Sequence, residues 1–197
     1  MQRILLATNN PGKVREFDRI LAAAGFSAVT PAHLGISLDV DEPGLTYEEN
    51  AILKARAFAG ASGLVSLADD SGVEVDALGG APGVRSARYG GPSLDDAGRV
   101  DLMLSELAGV PAPARTARYR AVVAVAWPGG EVHCFEGVQE GSIGLERRGA
   151  GGFGYDPIFV SSDGRTNAEL TDTEKDAISH RGAAVRAAAA FLAGRLS

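Results

Sequence analysis

The chain is poor in cysteine, histidine, lysine and aromatic residues. Its single cysteine, Cys134, has no partner for an internal disulfide and excludes a cysteine-rich metal centre. The three histidines, His33, His133 and His180, are scattered and show no His-x3-His ligand spacing. No Gly-x-Ser-x-Gly run occurs, so no nucleophile elbow is expected. Membrane-length apolar runs are missing. Ala121–Trp127 is among the longest and has seven residues, against the ~18 needed for a span. Within Met1–Asn10 the apolar stretch Ile4–Ala7 is too short for a secretory signal. The net charge of −6 disfavours a broad polyanion-binding surface, so no nucleic-acid partner is expected. These absences point to a reducing cytoplasm and to no membrane partner. Only three of the 19 basic residues are lysines, Lys13, Lys54 and Lys175, but they suffice for a local anion site.

What is present is an ordinary globular composition, 45% hydrophobic and 22% charged over 197 residues. That length fits one domain over 1–197, or two lobes sharing a core. Arg3–Thr8 reads as a short buried strand, followed by an Asn9-Asn10-Pro11-Gly12 turn and a helix over Lys13–Ala24. Thr46 and Glu49 form a capping-box pattern that opens a helix through about Phe58. Leu64–Ala68 reads as a second strand that ends in a turn at Asp69-Asp70-Ser71-Gly72, and Ser93 as the cap of a helix through Leu107. Tyr119–Trp127 and Glu131–Val138 flank Pro128-Gly129-Gly130 as a hairpin. The strand Ile158–Val160 and a last helix over Ser179–Leu196 complete the pattern. Early alternation of strands and helices with a late hairpin favours α/β with a mixed, largely buried sheet.

Four segments could carry chemistry. Thr8, Asn9, Asn10, Pro11, Gly12 and Lys13 join a strand to a helix N-terminus, where amide N–H groups and a lysine suit an anion. Ala7 and Val14 exclude a Walker A loop, and a plain turn with a surface lysine is the alternative. Asp69 and Asp70 after an apolar strand are oxygen donors of the kind Mg2+ takes, or else an Asp-rich turn. Asp39, Asp41 and Glu42 add an acidic patch that also reads as a solvated charge run. Gly149–Pro157 contains a Gly-x-Gly-x-x-Gly spacing, but Pro157 and a β-like run follow it instead of a helix, so it is not a dinucleotide fingerprint. It remains a loop carrying Phe153, a stacking surface for a base, and the carboxylate of Asp156. Lys175 with Ser179-His180-Arg181-Gly182 forms a cationic cluster beside the last helix. An anion loop, paired acids, a stacking ring and a basic cluster together fit a nucleoside triphosphate with Mg2+.

The ordered segments LATNNPGK (Leu6–Lys13), GLTYEENAILKA (Gly44–Ala55), ADDSG (Ala68–Gly72), LGGAPGVRSARY (Leu78–Tyr89), GGFGYDPIF (Gly151–Phe159) and KDAISHRG (Lys175–Gly182) span nearly the whole chain. In them the sequence resembles the inosine/xanthosine triphosphate pyrophosphatase family, also called Ham1-like. The resemblance implies an elongated α/β fold with a long mixed sheet, flanking helices and two lobes around a central active-site cleft. It implies a homodimer that uses Mg2+ to hydrolyse ITP, dITP and XTP to the monophosphate and pyrophosphate. By the same resemblance Asp70 is the general base and a metal ligand, Glu42 the second ligand, and Asp69 a support for the metal or its waters. Lys13 and Lys54 would offset triphosphate charge, with the Thr8–Lys13 loop cradling it, and Ser71 would touch substrate. Phe153 would be the stacking platform for the base, and Gly154, Tyr155, Asp156 and Lys175 would bind substrate. His180 and Arg181 would donate to the O6 carbonyl that hypoxanthine and xanthine carry and adenine lacks. The alternatives are a Maf-like pyrophosphatase acting on dTTP or UTP, and a non-catalytic nucleotide sensor.

Overall fold

The computed structural model describes residues 2–195. Its strands are β1 (Gln2–Leu6), β2 (Phe26–Val29), β3 (Ser66–Val75), β4 (Thr116–Ala126), β5 (Val132–Ile143) and β6 (Phe159–Val160). Its α-helices are α1 (Pro11–Ala23), α2 (Tyr47–Ser62), α3 (Asp96–Glu106), α4 (Asp172–Ile178) and α5 (His180–Arg195). The strands form one sheet in the order β2-β1-β3-β4-β5-β6. β1 runs parallel to β2 and β3, whereas β5 and β6 are antiparallel, so the sheet is mixed. The chain divides into two compact units, one of residues 1–70, 121–137 and 180–197, the other of 71–120 and 138–179.

In the first unit the sheet is buried on both faces, and the period-2 alternation of a strand assigns each residue to one of them. Ile4 and Leu6 of β1, Leu67 of β3 and Ala121, Val123 and Val125 of β4 pack with Phe17 and Leu21 of α1 and Val185 and Leu192 of α5. Leu5, Ala7, Ala68, Ala124 and Ala126 turn to the opposite face and meet Ala51, Ala55 and Phe58 of α2. The small alanines there let α2 lie close to the strands. The second unit has its own core, in which Val73 and Val75 of β3 join Val100 and Met103 of α3, Tyr119 of β4 and Phe159 of β6.

Several expectations hold. The Thr46/Glu49 capping box opens α2 as read, and Trp127–Glu131 closes the turn between β4 and β5 through a 2.9 Å backbone hydrogen bond. The strand expected to stop at Ala68 instead continues through Asp69-Asp70-Ser71-Gly72 to Val75. Asp is a poor strand former, and tertiary compensation of its charge overrides that preference. The cap of α3 is Asp95, which accepts from the Gly98 amide at 2.8 Å, rather than Ser93. The four-residue β2 was too short to register as a period. The last helix holds as α5, which begins at His180, and a further short helix, α4, opened by a Thr171/Glu174 capping box, precedes it. Leu196, the expected last residue of the last helix, lies outside the described residues.

One glycine positions the start of α5. A methyl group at Gly137 of β5 would fall 2.0 Å from the His180 carbonyl oxygen and 2.8 Å from the Ala184 amide nitrogen. Only a residue without Cβ lets the first turn of α5 lie on the strand. Gly137→Ala is expected to lower stability by about 2–3 kcal/mol, read as a fall in the urea midpoint. An unchanged midpoint would contradict this close approach.

Candidate functional site

β1 ends at Leu6, paired with Leu67 of β3, so β3 runs on beyond the carboxyl end of its neighbour and carries Asp69 and Asp70 with it. Adjacent strand residues point to opposite faces, and the two carboxylates diverge accordingly. Asp69 turns to the face of α1 and α5. Its Oδ1 lies 3.1 Å from Lys13 Nζ and its Oδ2 3.1 Å from Arg181 Nε. Arg181 Nη1 reaches Glu16 Oε2 of α1 at 2.5 Å. Asp69, Glu16 and Arg181 are each at most 4% exposed. Burial alone would push the Asp69 carboxyl up, but Lys13, Arg181 and Lys54 together hold it well below the usual carboxylate range. Burial pulls Lys13 below the ordinary lysine range, with Asp69 opposing it.

Asp70 turns to the face of α2. Asn50 Nδ2 donates to Asp70 Oδ2 at 3.0 Å. Lys54, one helical turn further along α2, pairs with Glu42 Oε2 at 3.1 Å. Burial raises the Asp70 carboxyl above its ordinary value, and the Glu42 charge adds to that. Lys54, the Asn50 hydrogen bond and Lys13 oppose it without cancelling it. Asp70 is thus a carboxylate of enhanced proton affinity, next to two lysines and a second carboxylate. Asp69, expected to support a metal or its waters, faces away from Asp70 and is paired with Lys13 and Arg181.

The Thr8–Lys13 loop has its own local order. Asn10 caps α1, its Oδ1 accepting from the Gly12 amide at 2.9 Å and the Lys13 amide at 3.1 Å, and Pro11 has no amide hydrogen to offer. The Thr8 hydroxyl accepts from the Asn10 amide at 3.2 Å. The expected cradle of open amides is therefore partly filled by Asn10 itself, and the charge of the loop comes from Lys13. Asn9 is exposed. His180 is buried in the first turn of α5, beside Arg181. Ser71 follows Asp70 on β3 and is half-buried.

The other expected residues belong to the second unit. Asp156 Oδ2 accepts from Lys175 Nζ at 2.6 Å and from the Phe153 amide at 2.8 Å, and Lys175 Nζ sits 4.8 Å from the Phe153 ring centroid. Asp156 and Lys175 are 3% and 4% exposed, so this buried pair staples the loop. Gly152 has a positive φ of 71°, and a Cβ there would fall 2.1 Å from the Asp156 carboxylate. Gly154, also left-handed, donates its amide to Asp96 Oδ2 at 3.1 Å. Tyr155 is buried and donates its hydroxyl to the Ser86 carbonyl at 2.8 Å. Phe153 is half-buried, its ring held by the pair that pins its backbone.

Sequence reasoning missed Glu16 and Asn50. Both left a signal, for each is a polar residue on the buried stripe of its helix. Glu16 lies with Gly12 and Ile20, and Asn50 with Tyr47 and Ala51.

Fold and site together define a mixed α/β protein with a carboxylate-and-lysine station where β3 outruns β1. The family model described as the Ham1 family matches residues 4–191, and the chain belongs to that family. It is 49% identical over 187 residues to a Bacillus subtilis protein named dITP/XTP pyrophosphatase, covering 94% of each chain. It is 52% identical over 187 residues to a Symbiobacterium thermophilum protein of the same name, covering 93% of this chain and 91% of that one. The solved structure of a HAM1 protein from Coxiella burnetii is similar at 40% identity with a TM-score of 0.87, covering 98% of this chain and all of that one.

Cys134 lies in β5 and is half-buried. Burial, with Glu48 adding and Arg56 opposing, pushes its thiol up to about 11. The thiolate is the reactive form, so iodoacetamide should modify Cys134 at pH 8 roughly a hundredfold more slowly than an unperturbed cysteine. The rate should climb about tenfold per pH unit up to pH 10. Rapid modification at pH 8 would refute the shift.

Proposed function

We propose that this protein hydrolyses the non-canonical purine nucleoside triphosphates dITP, XTP and ITP to the monophosphate and pyrophosphate, clearing them from the nucleotide pool. The observation that carries the reading is Asp70, buried, raised in proton affinity and oriented by Asn50, beside Glu42 and two lysines. A base must hold the proton it takes, and burial of Asp70 supports that task. In the reaction the water oxygen bonds to the α-phosphorus, its proton passes to Asp70, and the bond from the α-phosphorus to the bridging oxygen breaks. The bonding electrons leave on pyrophosphate. Lys13 and Lys54 offset phosphate charge. Ham1 membership and the relatives' names support this over a Maf-like pyrimidine enzyme. A base of raised proton affinity favours it over a sensor, because binding alone requires none.

The donor chemistry fits Mg2+, which takes one or two protein carboxylates and fills its other positions with water and phosphate oxygens. Among the described residues no group of three or more His, Cys, Asp or Glu is gathered for a metal. Glu42 and Asp70 are the two that would hold the ion, their charges already coupled. When bound it would neutralise phosphate charge and acidify a water. Ser71 contacts substrate in this reading. In the second unit Phe153 offers the purine a stacking face, with the Gly154–Asp156 loop and Lys175 holding it. His180 and Arg181 are assigned to donate to O6. A donor left unpaired by adenine costs about 1–3 kcal/mol, a roughly 10–100-fold preference. Among the described residues no helix is long and apolar enough to cross a membrane. Action as a cytoplasmic homodimer is part of the same proposal.

The test is product analysis with ITP, XTP, GTP and ATP at equal concentration and Mg2+. IMP and XMP with pyrophosphate, and ATP nearly untouched, are expected. Asp70→Asn should cut kcat at least ~100-fold while nucleotide binding persists. Diphosphate with orthophosphate would overturn attack at the α-phosphorus.

A further inference from the structure

The incoming segment of α2 is tied to the helix by three of its own amides. Leu45 and Thr46 donate to Glu49 Oε2 at 2.8 and 3.2 Å. Gly44 donates to Asn50 Oδ1 at 2.8 Å. The last bond decides the orientation of a buried side chain. With its carbonyl oxygen accepting from the Gly44 amide, Asn50, only 1% exposed, donates its amino group to Asp70 Oδ2 at 3.0 Å and, at the longer distance of 3.5 Å, to the Gly44 carbonyl. Asn50 has no slack at Gly44, since a Cβ at that residue would fall 2.5 Å from Asn50 Oδ1. Gly44 lies two residues from Glu42, whose carboxylate is held by Lys54 on the same face of α2.

We propose that Asn50 is a positioning residue that, clamped by Gly44, ties the Glu42 segment to Asp70 and sets the placement of the two carboxylates toward a divalent cation. The proposal rests on the reading of Asp70 and Glu42 as the metal-holding pair and goes beyond it. In this proposal Asn50 takes no part in bond making or breaking. It acts through Asp70, by donating to one carboxylate oxygen and so orienting the other. A hydrogen-bonding amide does this without adding charge, as a lysine or aspartate in its place would. Gly44 is required for the space its missing side chain leaves, and this distinguishes the clamp from ordinary helix packing.

Two variants test it by different routes. Asn50→Ala removes the amide, and Gly44→Ala leaves the amide but displaces it. Mn2+ binding to the nucleotide-free protein is followed by its electron-spin resonance signal, alongside thermal melts and steady-state kinetics on XTP. Both variants should bind Mn2+ at least tenfold more weakly than the wild type. Both should lose kcat by 10-fold or more, with KM for XTP changed less than threefold, while remaining folded at the assay temperature. Asn50→Asp, which keeps the acceptor for Gly44 but sets a carboxylate against Asp70, should be folded and equally slow. Wild-type Mn2+ affinity in the folded alanine variants, or activity that falls only in proportion to the folded fraction, would overturn the clamp. So would a wild-type protein that shows no saturable Mn2+ binding. A wild type that binds Mn2+ but leaves XTP intact would instead sink the hydrolase reading, and the Mn2+ titrations of the variants would still decide the clamp.

Discussion

The alternation of side chains along β3 sends Asp69 and Asp70 to opposite faces of the sheet, and each carboxylate meets different helices. The rest of the first unit is arranged around that divergence. Asp69 faces α1 and α5 and is compensated by Lys13 and by Arg181, which Glu16 also binds. Asp70 faces α2, where it accepts from a neutral amide, and burial together with a neighbouring carboxylate raises its proton affinity. Two chemically identical residues, one bond apart in sequence, thus have opposite electrostatic characters. One is held ionised as part of a buried charge network, and burial raises the proton affinity of the other.

Buried ion pairs are costly to desolvate, and a network such as Glu16–Arg181–Asp69–Lys13 is retained more readily for what it positions than for net stability. Here it joins the first turns of α1 and α5 to the strand that carries the candidate base. Gly137 serves the same end from β5, by letting the start of α5 approach the sheet. The α2 face works with lighter means. One amide contacts Asp70, one lysine contacts Glu42, and Asp70 is left only partly compensated.

Much of this was legible in the sequence, and the exceptions have physical causes. The strand–loop–helix opening, the Thr46 capping box and the hairpin around Pro128-Gly129-Gly130 are local signals, and local chemistry decides them. The ordered motifs of the Ham1 resemblance marked Asp70, Glu42, Lys13 and Lys54. The extension of β3 through Asp69-Asp70-Ser71-Gly72 was not legible, because it depends on partners 112 residues away in the chain, such as Arg181 on Asp69. The pairing of Lys175 with Asp156 hid for the same reason, since a sequence shows a cation and an anion but not that they neutralise each other. Asn50 and Glu16 were visible as polar residues on apolar stripes, a pattern that points to a buried partner without naming it.

The central claim is that Asp69 holds the fold and Asp70 does not. Urea unfolding of Asp69→Asn and Asp70→Asn at neutral pH tests it directly. Losing the Asp69 charge leaves buried cations undercompensated, and a loss of about 3 kcal/mol is expected. Asp70→Asn replaces a carboxylate whose ionised form is disfavoured by burial with a neutral isostere, so that variant should be at least as stable as the wild type. Equal destabilisation of both variants, or an Asp69→Asn protein as stable as the wild type, would contradict the division of roles along β3.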